Sequence, residues 1–535
     1  LKKSKSNQKS MIVLIILLVV FTRLYITREF GLAGSSYIFS ALDFIMIFIV
    51  YLPFALKSIV SKLINAKIRT MQGSNARRVI YGAFLIAIFY SIIVSVILLL
   101  FGSNICKLLL LGKQSETVIL YLIPSIFFVA FGSVIKGYFA GIKAHSVDML
   151  AEFVEKVSVI VSTVLLCNIF NAKGQKVANV LYNKEYEYAY SALGAALGIT
   201  IGLFISLIFS YFLFRLNQDK LYENGSEKKT DDIYDVFSWI SSDVIKNSGF
   251  LTVFFIFVTI SQTYFFKTTA KEPLFVTRTY IYGSFCGPLF DVLIFAVLYF
   301  YLDSKIHSKS IKIAMKNTNV SELRIKGNDL VSACLVFTIP LTIFAEISAG
   351  QIASILCKGE NQLVTNVLRA GSPLIIFISL AIVTSNIING LSKQTRLLIN
   401  SLTALAFGFL SLILFTSTIK IGIYGIIISF YIYSIVLIAM NILLIMNVLK
   451  YKLSINERVL PALIISVITG FVVFLLILLF GLFMNDVAIF AATFILFILS
   501  TFIAMVKVGI VNSYTLSNAL IGKIFSNIGR AIHIL

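Results

Sequence analysis

Arg23 and Arg28, Asp43, Glu152 with Glu155 and Lys156, Asp243 with Lys246, Arg278 and Asp291 all stand inside stretches that are otherwise apolar. A charge at the centre of a bilayer costs at least about 2.5–3.5 kcal/mol, so such residues face a wet cavity or a partner of opposite sign. Arg23 lies about 12 residues into its apolar run, roughly 18 Å at 1.5 Å per residue, too deep for its head to reach the surface easily. Its planar fork of donors suits bidentate binding of phosphate or carboxylate. The alternative is a structural ion pair, with Asp43 or an acid of the seventh apolar run as partner. Arg28 is nearer the end of the same run, where an interfacial anchor and a gate are both open readings. Glu152, Glu155 and Lys156 are spaced i, i+3, i+4 and share one helix face. They form either a polar cluster that holds a bundle together or an ion or proton site. Asp291 follows Gly287-Pro288, where a helix is expected to break.

Other chemistries find no residues to carry them. His145, His307 and His533 are far apart, and the five cysteines are scattered without a CxxC pair. Neither a zinc centre nor a disulfide framework is expected. No phosphate-binding glycine loop and no nucleophile–His–acid set occurs. The chain is therefore not expected to be an enzyme, and no cofactor or metal is expected.

The elements that must position these residues follow from composition. The 535 residues are 59% hydrophobic and 13% charged, with mean hydropathy +0.96. That reads as an all-α polytopic membrane protein. Runs long enough to cross fall near 11–30, 37–61, 79–104, 117–140, 149–171, 190–215, 241–264, 279–302, 329–349, 366–391, 396–417, 421–447, 460–483 and 486–508, about fourteen in all. The first run follows Lys2, Lys3, Lys5 and Lys9 but has no small-residue cleavage site, so it reads as a span and not a signal peptide. The net charge of +21 is spread between the runs. It reads as positive-inside topology, with both termini cytoplasmic, and not as a nucleic-acid surface.

One stretch occurs twice. Pro124 to Gly141 and Pro373 to Gly390 are apolar runs that open on Pro and close on Gly, offset by 249 residues at both ends (373 − 124 and 390 − 141). The spacing points to duplicated halves, a plan common in secondary transporters. The expected division is a six-helix bundle over 1–215, a charged cytoplasmic linker over 216–240, a second six-helix bundle over 241–447, two further helices over 448–510 and a tail over 511–535. The tail reads either as an interfacial amphipathic helix or as a frayed end. Gly194, Gly198 and Gly202 repeat at four-residue spacing, a pattern for close helix packing.

Several stretches resemble the multidrug/oligosaccharidyl-lipid/polysaccharide exporter superfamily. They are Arg23 to Tyr37, Leu52 to Ser61 with Gly73 to Arg78, Lys136-Gly-Tyr-Phe-Ala-Gly141 through Glu155, Ala192 to Gly202, Ile388 to Lys393 and Gly422 to Gly425. The nearest likeness is to the polysaccharide-exporter branch typified by stage V sporulation protein B, and the lipid II flippases are more distant. The seventh and eighth spans depart from the pattern: the expected Pro and Asp of span seven and the late Pro of span eight are missing.

The resemblance implies a cavity between two bundles, lined by spans one, two, seven and eight, in a bacterial plasma membrane. Arg23, Arg28, Asp43, Lys246, Arg278 and Asp291 would then contact substrate. Glu152, Glu155 and Asp243 would be ion-coupling candidates, with H+ or Na+ as the ion; Glu155 matches the family's carboxylate. The implied function is translocation of a polyprenyl-diphosphate-linked saccharide, a polysaccharide or cell-wall precursor, by alternating access. The alternatives are a cation-coupled exporter of small organic cations and a membrane glycosyltransferase or polymerase. The last would need acids grouped on outer loops, where they are sparse.

Overall fold

The computed structural model describes residues 2–109, 113–218, 230–269, 275–317, 319–450 and 456–511, together with Leu520, Ser526, Asn527 and Gly529. The charged centre of the expected linker, 219–229, and nearly all of the tail lie outside the described residues. Among the described residues all regular structure is helical. The helices are α1 (Lys2–Tyr51), α2 (Pro53–Arg69), α3 (Gly73–Leu108), α4 (Lys113–Gly141), α5 (His145–Leu181), α6 (Glu185–Asn217), α7 (Ile233–Thr268), α8 (Phe275–Ser284), α9 (Phe290–Lys316), α10 (Val320–Ile347), α11 (Ala349–Cys357), α12 (Gln362–Gly371), α13 (Leu374–Gly390), α14 (Gln394–Leu412), α15 (Ile423–Leu449), α16 (Asn456–Phe480) and α17 (Asp486–Lys507).

Twelve helical runs are long and apolar enough to cross a membrane, or thirteen when α12 and α13, bent by 40° at their junction, count as one crossing. The first of them, Lys9–Arg69, has 61 residues. At 1.5 Å per residue it would extend about 90 Å, three times the ~30 Å hydrocarbon layer. Gly31 interrupts it with φ 66° and ψ −172°, a conformation open essentially to glycine alone. The run therefore divides between the expected spans 11–30 and 37–61, which adds one crossing to the count.

By their contacts the residues form two units, Ala33–Tyr280 and Leu1–Leu32 with Ile281–Leu535. In the Ala33–Tyr280 unit, α5 and α6 touch backbone to backbone. A Cβ on Gly198 would lie 2.4 Å from the Thr163 Cα, and one on Gly202 2.4 Å from the Val159 Cα. At that range serine hydroxyls reach across, Ser162 Oγ to the Gly198 carbonyl (2.6 Å) and Ser158 Oγ to the Gly202 carbonyl (2.9 Å). This is the small-residue packing that membrane helices use where lipid supplies no hydrophobic drive. In the other unit, Phe344 of α10 gathers Phe490, Phe494 and Phe497 of α17 at ring distances of 5.3–5.6 Å. Val473 and Ile477 of α16 complete that core.

The duplication extends to the packing. Helix α4 and the α12–α13 pair keep the 249-residue offset at both ends (362 − 113 and 390 − 141). The loops that follow are the same: Lys143 and Ser392 both sit at φ near 60°. The backbone bonds Ile142 N–H to Tyr138 O and Ala144 N–H to Phe139 O recur as Leu391 N–H to Ile387 O and Lys393 N–H to Ile388 O. Gly141 packs on Ile64 beside the Ser61 carbonyl, and Gly390 on Ile311 beside the Ser308 carbonyl. Thus α4 meets α2 as α13 meets α9. The copies differ at proline: Pro124 lies inside α4, whereas Pro373 precedes α13 at the bend.

Candidate functional site

Between α8 and α9 the backbone makes a π-helical turn, Phe285–Leu289, that contains Gly287-Pro288. Proline has no N–H for the preceding turn, so the ladder widens here. The break expected before Asp291 is this turn, and it sets Asp291 in the first turn of α9. Arg23 of α1 meets it: Nε donates to Asp291 Oδ1 at 2.8 Å and Nη2 to the Cys286 carbonyl at 2.7 Å. Thr27, one turn further along α1, donates its hydroxyl to Asp291 Oδ2 at 2.5 Å. The Asp291 side chain is fully buried and that of Arg23 is 16% exposed. The ion pair expected for Arg23 as a structural alternative is therefore present. The acid described against it is Asp291.

A second charged group lies within the Ala33–Tyr280 unit. Lys57 of α2 bridges Asp148 (2.9 Å) and Glu152 of α5. Glu155 of α5 is held by Lys136 of α4 and by Lys156 (2.5 Å). The first triad carries net −1 and the second net +1. Asp148, Glu152 and Glu155 are spaced i, i+4, i+7, so one face of α5 presents all three acids. Lys57, Lys136 and Asp148 are new members beside the expected Glu152, Glu155 and Lys156. Asp148 was legible from that spacing. The two lysines were not, because their positions fit equally well with positive-inside loops.

The remaining candidates are elsewhere. Asp243 pairs with Lys62 (2.7 Å) and Lys246 (3.7 Å) near the start of α7. With Lys62 63% and Lys246 48% exposed, these are solvent-screened pairs of small worth. Lys67, also on α2, bonds Asp231 at 2.5 Å and lies over the Trp239 ring at 5.1 Å. Arg28 is exposed, and its neighbour Glu29 pairs with Lys358 at 3.1 Å. Asp43 and Arg278 are partly buried. Arg23, Arg28 and Asp291 belong to one contact unit, and Asp43, Glu152, Glu155, Asp243, Lys246 and Arg278 to the other. Among the described residues no His/Cys/Asp/Glu group is placed to hold a metal ion.

The Ile281–Leu535 unit has a neutral polar cluster. Ser304 of α9 accepts from Asn386 of α13 at 2.8 Å. Asn441 of α15 donates to Thr384 (3.2 Å) and Ser385 (3.1 Å) and accepts from Asn400 of α14 (3.0 Å).

No protein-family model and no curated protein matches the chain. Solved structures do. An inward-facing multidrug resistance MATE family transporter of the MOP superfamily superposes with TM-score 0.56 at 15% identity, covering 81% of this chain and 99% of its own. The lipid II flippase MurJ, in an inward closed conformation, gives 0.54 at 16%, covering 93% and 97%. A MOP superfamily transporter from Pyrococcus furiosus gives 0.53 at 16%, covering 83% and 97%. The chain thus has the MOP superfamily fold, in an all-helical multi-pass membrane protein.

Proposed function

We propose that this chain is a flippase that moves a polyprenyl-diphosphate-linked saccharide across the membrane by alternating access. The observation that carries the reading is Arg23, a guanidinium held inside a crossing-length helix by Asp291 and the Cys286 carbonyl. Its planar donors match diphosphate oxygens, and Asp291 keeps the charge compensated when no anion is bound. The likeness to the lipid II flippase covers 93% of the chain and that to the MATE transporter 81%, which favours a lipid-linked substrate over a drug. The second reading, export of organic cations, draws on the fully buried Asp291 carboxylate and the MATE likeness.

No ATP is needed. A substrate with about two negative charges leaving an inside-negative compartment gains roughly 4.6 kcal/mol per 100 mV, at about 2.3 for each charge. The reading is tested in proteoliposomes loaded with polyprenyl diphosphate N-acetylglucosamine, with outward movement scored by an impermeant lectin. Arg23→Ala is expected to slow translocation by about tenfold or more while the protein stays folded, because a charge-assisted hydrogen bond is lost. Unchanged translocation removes Arg23 from the mechanism. Efflux of an organic cation from the same vesicles, with no movement of the lipid, selects the second reading.

A further inference from the structure

The six charges on α2, α4 and α5 are not required for packing. The register set by the matching loops and glycine contacts carries Lys57 onto Ser304 (offset 247) and Lys136 onto Ser385 (offset 249). It carries Asp148, Glu152, Glu155 and Lys156 onto Leu397, Ser401, Ala404 and Leu405 (offset 249). In that second copy the same helices pack over neutral residues: Ser304, Ser385, Leu397, Ser401 and Ala404 are each at most 1% exposed, and Leu405 is partly buried. The first copy stays open, with the side chains of Lys57, Glu152 and Lys156 29%, 35% and 32% exposed. All three lie within runs long and apolar enough to cross the membrane. Charged side chains there do not face lipid, so the open side faces water.

The charge pattern narrows the ligand. Three carboxylates oppose a phosphate, and three ammonium groups oppose an organic cation. A sugar hydroxyl meets neither objection: it donates to a carboxylate and accepts from an ammonium at once. The net −1 and net +1 triads, side by side on α5, offer acceptors and donors in alternation without a field that favours either sign of ion. We propose that this face binds the saccharide of the lipid-linked substrate through its hydroxyl groups, with Lys57, Glu152 and Lys156 as the contacts. The proposal rests on the flippase reading and adds to it the recognition of the sugar itself.

The test is binding to the full chain in nanodiscs, with two probes: polyprenyl diphosphate N-acetylglucosamine and bare polyprenyl diphosphate. The wild type is expected to prefer the sugar-bearing lipid by about tenfold or more. Glu152→Gln with Lys156→Gln, which removes one charge of each sign, is expected to bring that preference within about twofold and leave the affinity for the bare lipid as it was. A second variant, with Lys57→Ser, Lys136→Ser, Asp148→Leu, Glu152→Ser, Glu155→Ala and Lys156→Leu, copies the packing of the chain's own second half and guards against misfolding of the first. It is expected to lose the preference in the same way. Equal binding of both lipids by the wild type overturns the sugar site and leaves the flippase reading standing. So does an equal loss for both lipids in the variants, which would assign the lysines to phosphate. Retention of the preference by either folded variant also overturns it. Binding of neither lipid overturns the flippase reading, and this proposal with it.

Discussion

Removing Asp291 isolates the clamp on Arg23. In Asp291→Ala the guanidinium loses the 2.8 Å ion pair and, of the two partners described above, keeps only the Cys286 carbonyl. Breaking a buried pair from one side costs about 3–5 kcal/mol. Arg23 is 16% exposed, so some solvation is recovered and the expected loss is at the low end, about 3 kcal/mol. Arg23→Met leaves a fully buried Asp291 with Thr27 as its remaining described partner, at a similar cost of about 3 kcal/mol. The double variant Arg23→Met with Asp291→Leu leaves no stranded charge and is expected to be more stable than either single one. The coupling is then more than about 3 kcal/mol, at or above the upper end for residues in contact. It is read from unfolding of the purified protein in mixed micelles, followed by circular dichroism. Additive losses, with the double variant the least stable of the three, would refute the clamp.

Three smaller predictions follow from local geometry. Gly198→Ala and Gly202→Ala each place a Cβ 2.4 Å from the α5 backbone and should cost about 1–3 kcal/mol; Gly102→Ala, with open space around it, should cost nothing in the same unfolding assay. Gly31→Ala also has open space, but φ 66° with ψ −172° strains any other residue by about 1–3 kcal/mol, so the same assay should show a loss of backbone origin, unlike that at Gly198. Burial pushes the Cys357 thiol up to about 11, partly offset by a hydrogen bond from the Asn361 side chain. Maleimide labelling of a variant that keeps Cys357 alone should therefore run about a hundredfold slower at neutral pH than for an ordinary thiol, and should rise about tenfold per pH unit up to that value; fast labelling at pH 7 would contradict it.

The spans were legible because twenty apolar residues in a row admit few other readings, and the duplication because a helix ending on Gly repeats its spacing. Arg23 stood out for the same reason: an arginine that deep must have a partner. The partner itself was not legible. Asp291 is 268 residues away, and nothing local to Arg23 distinguishes it from Asp43; only the π-turn at Gly287-Pro288 brings it there. The α5 network was half legible. Helix periodicity put Glu152, Glu155 and Lys156 on one face, but Lys57 and Lys136 reach them from other helices, and the positive-inside reading of the basic residues was already a sufficient explanation for those two lysines. The sequence places Asp243 and Lys246 at the start of the seventh span. Helix α7 starts earlier, at Ile233, where the Asp232 carboxylate accepts from the Tyr234 N–H, and the partner of Asp243 from another helix, the exposed Lys62 of α2, is not legible locally.

The most direct measurement is translocation of polyprenyl diphosphate N-acetylglucosamine in sealed proteoliposomes under an imposed potential and, separately, an imposed H+ or Na+ gradient. With two charges moving outward, 100 mV inside-negative is worth roughly 4.6 kcal/mol, about a thousandfold in the equilibrium distribution. Protein-dependent movement that accelerates as the interior becomes more negative, and that slows about tenfold or more in Arg23→Ala, is the expected result. Movement no faster than in protein-free vesicles, or a rate indifferent to both the potential and the ion gradients, would contradict it.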